Sequence, residues 1–215
     1  TENYLNTEYL GFYSKDSLSP LRFLEIRQAI NYGFNRKKML KYLRNNIGTP
    51  AINGFIPKGM PSFNDSLVGF YYNPKLAQKL ISKAIELNNG PLDPIVLSTT
   101  SSYLDLCEYI QNELSNIGLN IEINVNPPSI HRQMVATSKL SFFRGSWIAD
   151  YPDAENYLSL FYSKNHSPLG PNYTHFENKE YDDLYVKSLL ERNDSLRFLY
   201  YCLLYTSDAA DDVRS

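Results

Sequence analysis

Between residues 94 and 126 the hydrophobic period of the chain changes twice, and this limits its fold more than any other feature. An apolar run, PIVLST, precedes a helical stripe of Leu104, Cys107, Ile110, Leu114 and Ile117 that stops at Gly118. Leu119, Ile121, Ile123 and Val125 then alternate with Asn120, Glu122, Asn124 and Asn126. The run predicts a short buried strand and the alternation a strand with one buried face. A small thiol on the stripe, Cys107, belongs in the core.

The rest of the chain repeats this interleaving. Residues 9–13 (YLGFY) and 141–148 read as strands, and Leu21, Leu24, Ile26, Ile30 and Phe34 as a helix. Asn35 offers an N-cap for a second helix, and Asn73-Pro74 opens a third whose stripe is Ala77, Leu80, Ile81, Ala84 and Leu87. Residues 47–74, rich in Gly, Pro and Asn, predict a long ordered loop of the kind that often carries function. Further helices are expected over 129–137, from Pro152-Asp153 onward, and over 181–191 and 194–205. Strands alternating with helices predict an α/β fold, a layered mixed β-sheet with flanking helices.

Composition removes several partners and chemistries. The 215 residues are 43% apolar and 20% charged, ordinary for a folded domain. Lys plus Arg number 21 against 23 Asp plus Glu, without the basic cluster that a phosphate backbone requires, which argues against nucleic acid. The longest apolar run, residues 198–205, falls far short of the roughly 18 residues of a membrane-spanning helix. A signal segment is read as absent or already removed. Cys107 and Cys202 make no disulfide framework, and His131, His166 and His175 lack metal-ligand spacing, so neither a metal nor a cofactor is expected. No nucleophile elbow, phosphate loop or zinc motif occurs. Aromatic residues reach 14%, with 18 tyrosines, which suits either a ligand-holding surface or a core and its rim.

The densest segment is FFRGSWIADYPDAENY, residues 142–157. Asp150 lies just past the end of its strand, where α/β sheets gather ligands, and a carboxylate there suits an ammonium group. Trp147 supplies a wall beside it, and Arg144 a fork for a carboxylate. Six extended residues span at most ~20 Å, against about 7 to 17 Å for a peptide of two to five residues, so the two charges suit a zwitterionic peptide. The plainer readings, Asp150 as a helix cap and Arg144 paired with a neighbouring carboxylate, stay open.

Five segments in series, IRQAINYGFNRKKML (26–40), TPAINGFIPKGMPSF (49–63), YYNPKLAQKLI (71–81), IQNELSNIGLNIEI (110–123) and GSWIADYPDAENYLSLF (145–161), resemble the solute-binding proteins of bacterial ABC peptide importers, a family that also holds nickel and sugar binders. Asn35 stands where that family usually has Asp. The resemblance implies one lobe of a two-lobed, periplasmic-binding-protein-like clamshell: residues 1–201 as the second lobe, with the strand near 9–13 crossing between lobes. It implies capture of short peptides for a membrane permease, by a monomer in the periplasm or anchored outside the cytoplasm, without catalysis. By the family's motif, Asp150 takes the peptide amino group and Arg144 lies near a carboxylate. Trp147, Ala149 and Tyr151 form the wall, and Asn172 in GPNYTHF falls on a recurrent position on the ligand side. Residues 202–215, CLLYTSDAADDVRS, depart from the pattern and resemble non-native read-through. Two further readings remain: a hydrolase or transferase using Asp150 and Asp153, and a non-catalytic interaction domain.

Overall fold

The computed structural model describes residues 5–67 and 69–206. Four strands, β1 (Asn6–Phe12), β2 (Ile95–Thr99), β3 (Ile121–Val125) and β4 (Phe142–Ile148), form one sheet in the order β1-β4-β2-β3. β2 pairs with β3 and β4 in parallel, whereas β1 pairs with β4 antiparallel along its whole length. The sheet is therefore mixed, as the interleaved pattern predicts.

Helices α1 (Leu24–Gly33), α2 (Arg36–Leu43), α3 (Pro74–Leu87), α4 (Leu104–Ser115) and α5 (Pro128–Ala136) are followed by a short α6 (Glu155–Leu158), α7 (Lys179–Leu190) and α8 (Asp194–Thr206). Asparagine side chains start three of them: the Oδ1 of Asn35, Asn73 and Asn178 accepts from the amides of Lys38, Leu76 and Tyr181 at 3.0 to 3.1 Å. Gly118 takes φ +93° after α4, a left-handed turn that redirects the chain into β3.

Two large cores hold most of the buried apolar residues, and a small third one joins Val135, Leu140 and Phe143. Leu10, Phe12, Leu97, Ile121 and Phe142 of the sheet pack with Ile26 and Ile30 of α1, Ile81 of α3, and Cys107 and Leu114 of α4. The second core, under α7 and α8, is aromatic: Phe55, Tyr157, Phe161, Phe176, Tyr181, Tyr185 and Tyr201. Four of the 18 tyrosines, Tyr157, Tyr181, Tyr185 and Tyr201, are thus interior, and each of their hydroxyls has an acceptor. Tyr157 donates to the Leu5 carbonyl at 2.6 Å, Tyr181 to that of Leu158 at 2.8 Å, and Tyr201 to Asp153 Oδ1 at 2.8 Å.

Several expectations need correction. β1 begins at Asn6, earlier than the apolar run, because its register with β4 and not hydrophobicity sets its length. Leu87 and Val125 are exposed, since α3 and β3 each outrun the core at their C-terminal ends. Pro152 and Asp153 do not start a long helix: the helical turn begins at Glu155 and passes into a 3-10 turn at Ser159–Phe161. The last helix, α8, runs over Asp194–Thr206, close to the 194–205 expected, and Leu204 is buried in the second core. Residues 207–215 lie outside the described residues.

Phe142 is fully buried and stacked on Phe12 at 5.0 Å between centroids. Phe142→Ala should destabilise the fold by roughly 3 to 5 kcal/mol. Leu87→Ala should change stability by less than about 0.5 kcal/mol. Urea denaturation followed by circular dichroism checks both.

Candidate functional site

β4 touches β2 only through Phe142 and Phe143, but its pairing with β1 runs on to Ile148. Backbone polar groups of successive strand residues point to opposite sides. The Tyr13 amide donates to the Ser141 carbonyl and the Ala149 amide to the Leu5 carbonyl, at 2.9 and 3.0 Å, so odd-numbered residues of β4 turn toward β1. Even-numbered residues turn away. Phe142 faces β2, and the Arg144 carbonyl accepts from His131 Nε2 at 3.0 Å. Ser146 and Ile148 come next on that edge, and among the described residues no strand lies beside them. Their N–H and C=O groups form a short open edge.

Asp150 follows directly. It is exposed, caps no helix, and its carboxylate meets no hydrogen-bond or ion-pair partner among the described residues. The neighbouring carboxylates are engaged. Asp153 accepts from the Glu155 amide at 2.9 Å and from Tyr201, and pairs with Arg197 at 3.2 Å. Glu155 accepts from both Tyr151 and Tyr185. Burial, and then the contact with Glu155, push both phenols above their ordinary range, so they stay protonated donors. The turn bearing Asp150 is held from both sides while its own charge is left free.

The other expected residues divide. Trp147 is half-buried, packs against the second core and donates from Nε1 to Asn156 Oδ1 at 2.7 Å, which fixes its ring against that core. The Ala149 amide is spent on Leu5, so the backbone groups free on this edge are those of Ser146 and Ile148. Tyr151 is exposed on the turn. Arg144 takes the plainer of its two readings: its guanidinium lies against Glu8 and 3.1 Å above the Tyr103 ring, with 13% of the side chain exposed, and burial lowers it to about 10. Asn172 is fully enclosed. Its Nδ2 donates to the carbonyls of Tyr162 and Phe176, and its Oδ1 accepts from Thr174 and the Phe176 amide, all between 3.0 and 3.2 Å. A ligand-side role for Asn172 is thereby corrected, because no polar atom of its side chain is left over.

Ser146, Ile148, His131 and Glu155 escape a residue-by-residue reading. The edge becomes legible only when the five residues of β2 are set against the seven of β4. Among the described residues no group of three or more His, Cys, Asp or Glu side chains converges on a metal position. No helix among them is long and apolar enough to cross a membrane.

Residues 1–168 match the family model for the middle region of bacterial extracellular solute-binding proteins, family 5. Heme-binding protein A of Haemophilus influenzae is 26% identical over 203 residues, 92% of this chain and 36% of that protein. The dipeptide-binding protein of Escherichia coli is 24% identical over 184 residues, 84% and 34% of the two. The chain thus spans about a third of the length of these curated relatives. Among solved structures, the periplasmic binding protein DppA from Helicobacter pylori in complex with the peptide STSA superposes with a TM-score of 0.87 at 20% identity, covering 97% of this chain and 40% of that one. This likeness establishes a shared fold.

The loop that Asn172 holds yields a test. His175 stacks on His166 at 4.6 Å, and burial, then that neighbour, lower its pKa below 6.5. The folded state therefore takes up a proton less readily than the unfolded one. The stability this neutral ring contributes is present above about pH 6.5 and is lost as pH falls through that value toward the lower folded pKa. The thermal midpoint should drop between pH 7.5 and 5, and by less in His175→Asn, which tolerates the φ of +52° there.

Proposed function

Since this chain belongs to the bacterial extracellular solute-binding proteins of family 5, we propose that it forms one lobe of a two-lobed clamshell that captures short peptides for the permease of an ABC importer. Residues 1–201 make up this lobe, and β1 is the strand that crosses between lobes. The protein acts as a monomer outside the cytoplasm, in the periplasm or anchored at the membrane surface, and performs no chemistry.

One observation carries the reading: an open strand edge, Ser146 and Ile148, ends at the free carboxylate of Asp150. A peptide main chain repeats the donors and acceptors that such an edge lacks, and adds to it as a further strand. Its ammonium group meets Asp150 through charge-assisted hydrogen bonds, which sets the peptide antiparallel to β4. Backbone and terminus are common to all peptides, so recognition tolerates many sequences. Trp147 and Tyr151 wall one side, and Ala149 spaces the edge from Asp150. Arg144 reaches a ligand carboxylate or acidic side chain only by sharing its guanidinium with Glu8.

The relatives include a protein named for haem and another named for dipeptides. A porphyrin has no repeating amide to pair with a strand edge, which favours the peptide. A hydrolase using Asp150 and Asp153 is disfavoured, because Asp153 is already tied to Tyr201, Arg197 and the Glu155 amide.

Titration of the 15N-labelled chain with millimolar tri-alanine should shift the amides of Ser146, Ile148 and Ala149. Asp150→Asn, or acetylation of the tripeptide's amino group, should weaken binding about two- to fivefold, roughly 0.4 to 1 kcal/mol for an exposed ion pair. Equal affinity for the free and acetylated peptides would end the ammonium assignment.

A further inference from the structure

The open edge of β4 also has a closed end. Its three even-numbered residues after Phe142 are not equivalent: Ser146 and Ile148 are free, but the Arg144 carbonyl is taken by His131. His131 lies on α5 and is 7% exposed. Only its Nε2 is bonded, while Nδ1 is enclosed without a partner. A carbonyl can only accept, so Nε2 carries the proton. An apolar ring of similar size would fill the same space without an orphaned nitrogen, but would leave the carbonyl bare. The polar function of this imidazole is therefore wholly the cap on Arg144.

Resting on the peptide reading above, we infer that His131 is a positioning residue for ligand length: it ends the β4 edge at Arg144, so that this lobe pairs with the backbone of only the first three or so ligand residues. In an antiparallel addition each ligand residue stands opposite one residue of β4, and alternate pairs exchange both backbone bonds. With the amino group at Asp150, the residues opposite Ile148 and Ser146 make those bonds, and the one opposite Trp147 lies between them. Two positions further on, the ligand meets the capped carbonyl of Arg144 and the imidazole itself. Beyond that, Phe142 is already paired with β2. A longer peptide gains no further ladder bonds from this lobe.

The test is a titration of the 15N-labelled chain with alanine peptides of two to six residues. In the unaltered chain, affinity should rise to about three or four residues and then level off. In His131→Ala, affinity should keep rising to five residues, where Phe143 and Phe142 are already paired with β2, and by severalfold, with new shifts at the Gly145 amide, which shares its peptide group with the Arg144 carbonyl. His131→Gln, whose side-chain amide can donate to the same carbonyl, should restore the plateau. A loss of packing alone would not make affinity depend on peptide length. An unaltered chain whose affinity still climbs between four and six residues overturns the inference, and this result needs no variant to fold. An unchanged plateau in His131→Ala overturns it too. In both cases shifts at Ser146 and Ile148 leave peptide capture standing, whereas no shift at those amides with any peptide overturns capture and length limit together.

Discussion

The antiparallel pairing of β1 with β4 is the constraint on which the candidate site depends. It runs through seven residue pairs, whereas the parallel pairing of β4 with β2 stops after two. β4 is therefore carried past the sheet by a single neighbour, and one edge of its C-terminal half lacks a partner. β2 ends because the chain turns at Ser101–Tyr103 into α4, and Tyr103 comes to rest against the Arg144 guanidinium. The strap is secured just beyond β1. The Leu5 carbonyl accepts from both the Ala149 amide and the Tyr157 hydroxyl, linking the first described residue to the turn and to the aromatic core.

A strand projecting from its sheet needs lateral support to keep a fixed shape, and here polar groups supply it. Three carboxylates fall within six residues, and two are consumed: Asp153 by Tyr201, Arg197 and a backbone amide, Glu155 by Tyr151 and Tyr185. Their phenol partners come largely from α7 and α8, so the aromatic core and the site are one structure. Trp147 joins it through Asn156. What is left over is the charge of Asp150, on a turn whose geometry is set before any ligand arrives. Such preorganisation reduces the ordering cost of binding.

The elements were largely legible in the sequence, because hydrophobic period and asparagine caps are local signals. The strand of residues 121–125, the helix after Asn73-Pro74 and the break at Asn35 follow from them directly. The position of Asp150 just past the end of β4 was legible as well, since a carboxylate after a strand and before a turn is a local pattern. Arg144 and Asn172 were not: whether a polar side chain meets a ligand or its own chain depends on residues distant in sequence, here Glu8 and the loop from Tyr162 to Phe176. The open edge was hidden for a related reason. It is a mismatch between strand lengths and pairing registers, a property of no single residue. Helix α8 was legible to its end because its apolar residues keep a helical period, and Leu204 enters the core.

On the reading proposed above, the same edge explains why such a lobe requires a second wall. Ser146 and Ile148 offer one donor and one acceptor each, and a solvated backbone hydrogen bond contributes only about 0.5 to 1.5 kcal/mol net. Association itself costs at least roughly 4 kcal/mol in lost translational and rotational freedom. The ion pair at Asp150 is exposed and screened by solvent, so it closes little of that gap. On the proposed reading, the edge and its carboxylate fix where a peptide lies and which way it runs. Tight binding then has to come from excluding water on the far side of the ligand, which strengthens each of these bonds by lowering the dielectric around them. A site with its specificity on one face and its affinity in the closure is what a two-lobed capture mechanism demands of each half.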